Sequence, residues 1–152
     1  IDRSADLLAA NVEARPFAAY AAIVAERGGA VIGARSHSLV AVDPDIETYG
    51  GQFLTEDEYV TYLTWPSDEA VIEVMRRHDI RWAFVHRTRA LEQPYHDAWL
   101  VDSHGARARH VEALQRSSNF CLVADDRGYL LYELGPCDDT APPPSVDGRT
   151  GS

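Results

Sequence analysis

The sequence predicts an α/β fold, in which a layered mixed sheet of four or five strands is flanked by helices and carries a C-terminal antiparallel hairpin. Two segments are the basis of this prediction. Residues 67–88 have the pattern of a capped amphipathic helix followed by a buried strand, which is the repeating half of a βαβ unit. Residues 120–134 place two apolar runs around a polar turn, as the strands of a hairpin do. The 152 residues are enough for one hydrophobic core.

The first of these segments has clear local signals. Ser67 is a good N-cap, and Asp68 and Glu69 fall in the first turn, where the helix dipole favours negative charge. After a short break at Asp79, residues 80–85 are aromatic and β-branched, which is typical of a strand. We expect this strand to lie at the centre of the sheet.

The N-terminal part of the chain is predicted to be helical over residues 4–26. Pro16 either kinks this helix or occupies the first turn of a second helix over 16–26. Gly28 and Gly29 are typical of a helix end.

Short segments follow as far as the capped helix. Thr55 begins a capping-box pattern, so a short helix is expected after it, and Trp65 and Pro66 end that helix. The pattern also predicts a buried strand over 30–34, either a strand or a single helical turn over 39–42, and a loop over 46–53.

The C-terminal half is predicted to contain helix, hairpin and tail. Residues 91–116 are helix-prone in parts, with interruptions at Pro94 and at a turn over 102–105, and 106–116 is the stronger helix. The hairpin is predicted to have strands over 120–123 and 129–134 with the turn at 125–128. We expect one α/β domain over residues 1–135 and a disordered Pro- and Asp-rich tail over 136–152.

Composition excludes several classes of function. The net charge of −10 would repel phosphates, so we expect no nucleic-acid partner. All fourteen basic residues are arginine, which leaves no amine for a Schiff base or a P-loop. No run approaches the roughly 18 apolar residues of a spanning helix. Because the chain opens at Ile1 and shows no signal peptide, we expect it to be cut from something longer.

No motif predicts a cofactor or a metal ion. Gly28, Gly29 and Gly33 bracket a strand without forming the dinucleotide-binding fingerprint. The six histidines lack the spacing of metal ligands. Cys121 and Cys137 are too few for a disulfide scaffold, and their pairing depends on the compartment, so a bridge and two unpaired thiols both remain open.

The strongest candidate site is a polar edge of the sheet. Ligands of parallel sheets tend to bind beyond the carboxyl ends of the strands. Two predicted strands end in polar clusters, and the candidate ligand-binding residues are Arg35, Ser36, His37, His86 and Arg87. Arginines and histidines gathered there would suit a phosphate or a carboxylate. The alternative is that they are solvated or pair with Asp43, Asp45 and Glu47.

A catalytic triad of Ser36, His86 and Asp43 is the corresponding enzyme hypothesis. Ser36 is preceded by Gly33, Ala34 and Arg35 and followed by His37, so the G-x-S-x-G nucleophile elbow is missing. Sequence spacing cannot supply the geometry by which a triad is recognised.

The order of elements resembles a known family. A helix leads to a strand reading GAVIG, a polar loop with an aromatic-glycine segment, then SDEAVIEVMRRHDIRWAFV and a closing FCLVADDRGYLLYEL. Over roughly residues 7–134 this is similar to the soluble extracytoplasmic C-terminal domain of polytopic GT-C-type membrane glycosyltransferases, which use polyprenyl-phosphate sugars. The resemblance implies catalytic acids between membrane helices of a parent chain, so it assigns no catalytic residue here.

The sequence leads to three functional hypotheses. The first is a non-catalytic accessory domain at the extracytoplasmic face of the cell membrane, which assists acceptor or partner binding. Its implied partners are the transmembrane region of its own parent chain and a glycan or polyprenyl-phosphate-linked substrate. The alternatives are a free-standing small α/β hydrolase-like enzyme that uses the edge of Arg35, His37 and His86, and a pure protein-interaction module.

Overall fold

The computed structural model describes residues 15–33, 37–49, 54–88 and 94–135. Helices, singly or in pairs, separate the strands as far as the hairpin. The elements are α1 (Arg15–Arg27), β1 (Ala30–Ile32), α2 (His37–Val42), β2 (Thr48–Tyr49), α3 (Glu56–Thr64), α4 (Asp68–Arg77), β3 (Ile80–His86), α5 (Pro94–Ser103), α6 (His110–Arg116), β4 (Phe120–Asp126) and β5 (Tyr129–Leu134). None of these helices combines the length and apolarity needed to cross a bilayer.

The described strands form one mixed sheet in the order β2-β1-β3-β5-β4. β2, β1 and β3 are parallel, whereas β5 pairs antiparallel with both β3 and β4. The predicted fold class, a mixed sheet of four or five strands with a C-terminal hairpin, is therefore confirmed. The strand predicted to lie at the centre, β3, is the middle strand.

Helices cover both faces of the sheet. Alternate residues of β3 point to opposite faces, as the pleat requires. Trp82 and Phe84 pack with α1 and α2 on one face, and Ala83 and Val85 pack with α3, α4, α5 and α6 on the other. Because the middle of β3 is buried on both faces, residues 82–85 form a continuous apolar run rather than an alternating one.

The capped helix predicted after Ser67 is α4. Ser67 Oγ accepts from the Ala70 N–H at 3.1 Å, which satisfies one of the free donors of the first turn. Val71, Val74 and Met75 are buried against the sheet. The break before β3 is Asp79, which has a left-handed backbone with φ of 53°.

The capping box predicted at Thr55 is also present. Thr55 Oγ1 accepts from the Glu58 N–H at 3.1 Å, and the Thr55 N–H donates to Glu58 Oε1 at 3.0 Å. The other oxygen of Glu58 binds Arg77 at 3.1 Å and His78 at 2.8 Å. Burial raises the pKa of Glu58, but the hydrogen bonds from Thr55 and His78 outweigh it and lower the pKa to about 2. This carboxylate therefore joins the start of α3 to the end of α4.

The structure differs from the sequence prediction at two elements whose bounds depend on contacts with distant parts of the chain. The loop predicted over 46–53 contains β2, which forms only because Thr48 and Tyr49 pair with β1. The helix predicted over 106–116 begins at His110, because the preceding Arg109 N–H donates to the Leu63 carbonyl at 2.7 Å.

Other element boundaries also differ from the predicted ones. Residues 39–42 are helical and belong to α2, which settles the alternative left open. Pro94 begins α5 instead of interrupting a helix, as proline does in a first turn. Asp125 and Asp126 belong to β4, so the hairpin turn is shorter than predicted. The predicted tail over 136–152 lies outside the described residues.

Candidate functional site

Three parallel strands end at the same edge of the sheet. β1 leads into Gly33, β2 ends at Tyr49 and β3 ends at His86. The turn of the β4–β5 hairpin lies beside them, because His86 pairs with Tyr129. We call these strand ends and this turn the carboxyl edge. It is the edge at which parallel sheets bind ligands.

The hairpin turn brings two acids to the carboxyl edge. Arg127 and Gly128 both have positive φ, 54° and 84°, which is the signature of a two-residue type I′ turn. The turn follows directly on Asp125 and Asp126 at the end of β4. Arg127 Nη1 binds Asp126 Oδ2 at 2.9 Å.

His86 is held in place by the hairpin. Its ring lies edge-on to Tyr129, with ring centroids 4.8 Å apart. A Cβ at Gly128 would lie 2.7 Å from His86 Nε2, so glycine is needed there for the ring to keep its place. The Thr88 N–H donates to His86 Nδ1 at 3.3 Å. Because Nδ1 accepts, the proton of the neutral ring is on Nε2.

Arg87 forms an ion pair with Asp125. The pairing with Asp43, Asp45 or Glu47 that the sequence left open does not occur for Arg87. Its side chain is 51% exposed, so guanidinium donors still face solvent. An anion that binds here competes with Asp125 for this arginine.

The other candidate residues follow β1. Arg35 and Ser36 lie outside the described residues, as does the side chain of His37, whose backbone begins α2. In the sequence they follow β1, a strand that is parallel to β3 and beside it. The ligand-binding role of Arg35, Ser36, His37, His86 and Arg87 therefore stays a prediction.

Asp43 lies at the opposite edge from His86. It lines a groove of about 370 Å³ with Gly29 and Asp79, which precede β1 and β3. His86 lies six residues beyond the start of β3, or roughly 20 Å at the rise of a strand. The hypothetical triad of Ser36, His86 and Asp43 is therefore not assembled.

A buried polar cluster lies beneath the carboxyl edge. Its four side chains, Tyr59, Tyr62, Asp97 and His110, come from α3, α5 and α6 and line a small cavity with Gly33. The Tyr59 hydroxyl donates to Asp97 Oδ1 at 3.1 Å, and Asp97 is only 1% exposed. Sequence reasoning missed this cluster, because a helical Asp and His in polar sequence give no sign of burial.

His110 is buried in its neutral form. It is 4% exposed, and within the described part of the chain its Nδ1 makes no hydrogen bond. Burial lowers the pKa of His110 to about 4, against a smaller raising effect of its hydrogen bond to the Leu63 carbonyl. Groups of three or more metal-ligating side chains are absent from the described residues.

Mild acid should destabilise the protein through His110. The unfolded histidine takes up a proton near pH 6.5 and the folded one only near pH 4, so between these values the unfolded state binds more protons. The free energy of unfolding should therefore fall by up to about 3 kcal/mol as the pH drops from 6.5 to 4. Urea unfolding at several pH values measures this fall.

Two variants separate His110 from the other groups. His110→Phe should remove the fall over this pH range, whereas replacing His96, which is exposed on α5, with alanine should leave it unchanged. Glu58 affects stability at lower pH than His110 does. Its contribution to the free energy of unfolding is complete above pH 4.5 and is lost as the pH falls towards 2. An unchanged pH dependence in His110→Phe would exclude this role.

Comparison with known proteins identifies a fold neighbour. No protein-family model matches the chain, and no curated protein is significantly similar to it. Among solved structures, the C-terminal globular domain of an oligosaccharyltransferase from Archaeoglobus fulgidus has a TM-score of 0.56 and 11% sequence identity. The alignment covers 82% of this chain and 97% of that domain. At this identity the comparison shows a shared fold, and it supports the family resemblance at that level.

Proposed function

We propose that this chain is a non-catalytic accessory domain of a membrane glycosyltransferase, at the extracytoplasmic face of the membrane. Its partners are the transmembrane region of its own parent chain and a glycan or polyprenyl-phosphate-linked substrate. The observation that carries the proposal is the fold likeness, which extends over 97% of the neighbouring domain. A match to a whole domain supports a shared unit of architecture more strongly than a match to one motif.

A disulfide supports the extracytoplasmic location. Cys121 is disulfide-bonded, and such bonds persist in oxidising compartments and are rare in the cytosol. The chain has one other cysteine, Cys137, which lies outside the described residues. The sequence left the pairing of these two cysteines open, and we propose that they form the bond.

The carboxyl edge is the proposed contact surface for the acceptor or substrate. Arg87 offers exposed guanidinium donors, and His86 is fixed beside it by Gly128 and Tyr129. Arg35, Ser36 and His37 follow the adjacent strand and are proposed to complete the site. Paired guanidinium and imidazole donors suit a phosphate or a carboxylate.

Titration with soluble analogues tests this site. We expect farnesyl phosphate to bind the chain and the Arg35→Ala, His86→Ala double variant to bind it at least about tenfold more weakly, because two charge-assisted contacts are lost. Isothermal calorimetry or chemical-shift perturbation measures the difference. An oligosaccharide without phosphate is titrated in the same way, to test a glycan as the ligand.

The control is Arg116→Ala. Arg116 is exposed at the end of α6, next to the start of β4 and so at the opposite edge of the sheet, and its loss should leave the affinity unchanged. Equal binding by the wild type and the double variant, or binding by neither, would reject the edge as a site. Hydrolysis of nitrophenyl esters that is lost in Ser36→Ala would favour the hydrolase alternative instead.

A further inference from the structure

Trp99 differs from the other two tryptophans in its surroundings. Trp65 and Trp82 are buried, and their indole N–H groups donate to Asp68 at 2.7 Å and to the Gly28 carbonyl at 2.8 Å. Trp99 is 62% exposed, and it is the large apolar side chain that the described surface presents to solvent. Its indole donates to no other described residue. Both the face of the indole ring and its N–H donor are therefore accessible to a ligand.

The helix that carries Trp99 is anchored to the core of the fold. Leu100 and Val101 are buried beneath it. Asp97, two residues before Trp99, is also buried and accepts the hydrogen bond from Tyr59 of α3. Because the backbone is anchored on both sides of Trp99, a ligand that binds the ring loses little entropy in ordering the helix that carries it.

The surroundings of Trp99 are polar. Residues one helical turn away lie beside it, and His96, Asp102 and Ser103 are all exposed there. One indole offers about 150–250 Å², whereas a stable protein interface buries on the order of 1,000 Å² or more. Helices that lie on membranes are rich in lysine and arginine, and α5 has neither. The surface thus favours a small ligand over a protein or a bilayer.

From these observations we propose that Trp99 is a stacking platform for an uncharged saccharide ring, with His96 and Asp102 binding its hydroxyl groups. One face of a pyranose presents C–H groups that neighbouring oxygens make electron-poor, and these are attracted to the electron-rich face of an indole. The hydroxyls are both donors and acceptors, which suits a carboxylate and an imidazole. This inference rests on the proposed function and names its acceptor class.

An NMR titration of the 152-residue chain tests the proposal. The protein has three tryptophans and so three indole N–H signals, and the probes are linear oligomers of glucose, mannose and N-acetylglucosamine. With at least one of them, the Trp99 signal should shift saturably while the Trp65 and Trp82 signals stay in place. Trp99→Ala should raise the dissociation constant at least about tenfold, and Trp99→Phe should raise it less because a ring remains.

Gln115→Ala is the matched control, since Gln115 is exposed on α6 and should not affect binding. The proposal is overturned if no oligosaccharide shifts the Trp99 signal. A shift of the Trp99 signal with phosphatidylcholine vesicles instead would indicate that the ring binds a bilayer, and would also overturn the proposal. A shift on dilution of the protein alone would indicate that the ring binds a second copy, with the same consequence. If no saccharide binds at Trp99 but farnesyl phosphate still binds at His86, the proposed function is unaffected. Saccharide binding by a chain whose parent transfers no sugar would overturn only the proposed function.

Discussion

Trp82→Ala is expected to lower the free energy of unfolding by about 3–5 kcal/mol. The side chain is fully buried in the middle strand, so its loss leaves a cavity in the layer between the sheet and α1. The mutation also removes the ring that lies under the guanidinium groups of Arg27 and Arg81, at 5.9 and 5.6 Å. Urea unfolding followed by far-ultraviolet circular dichroism measures the loss without depending on tryptophan fluorescence.

Trp99→Ala makes the same chemical change at an exposed position. Its cost should stay within about 0.5 kcal/mol, because no cavity forms on the surface. Trp82→Phe keeps a ring but removes the indole donor to the Gly28 carbonyl, and should cost about 1 kcal/mol. Similar losses in Trp82→Ala and Trp99→Ala would show that β3 is not the centre of the fold.

Gly33→Ala should be the second most damaging change, with a cost of about 2–5 kcal/mol. A Cβ at Gly33 would lie 2.3 Å from the Phe84 carbonyl oxygen. That oxygen belongs to the backbone of β3 and cannot move aside as a flexible side chain would. Gly33 also has φ of 152°, and its N–H donates to the Tyr49 carbonyl at 3.0 Å. The mutation therefore strains the point where β1, β2 and β3 meet.

Gly105→Ala is the control for backbone strain alone. Gly105 has φ of 65°, but nothing lies within 4 Å of a Cβ placed there. Its replacement should cost about 1 kcal/mol, without the steric part expected at Gly33. Equal losses at the two positions would mean that close packing of β1 on β3 contributes nothing.

Local signals explain which parts of the fold the sequence predicts. The N-cap of α4, the capping box of α3 and the β-branched run of β3 are all visible within about ten residues of chain. β2 is not, because two residues become a strand only through pairing with β1. The start of α6 at His110 likewise depends on Leu63, which lies in another helix.

The candidate site was predictable in position but not in its contacts. The topology that places His86 at the end of a parallel strand follows from the capped helix before it. Its neighbours Gly128 and Tyr129 come from a hairpin that lies far along the chain, and so does Asp125, which is the partner of Arg87 and lies 38 residues after it. Such contacts depend on strand register, which the amino-acid pattern leaves open until the strands are paired.

Photo-crosslinking in cells tests the central claim most directly. A benzophenone amino acid placed at Thr88, which is exposed next to Arg87, in the complete gene product should crosslink to a polyprenyl-phosphate-linked glycan or to membrane-embedded parts of the same chain. The same group at Asp45, exposed at the opposite edge, should give neither product. Crosslinks from Thr88 to cytosolic proteins alone, or equal crosslinking from both positions, would contradict an accessory role at the membrane with the carboxyl edge as its contact surface.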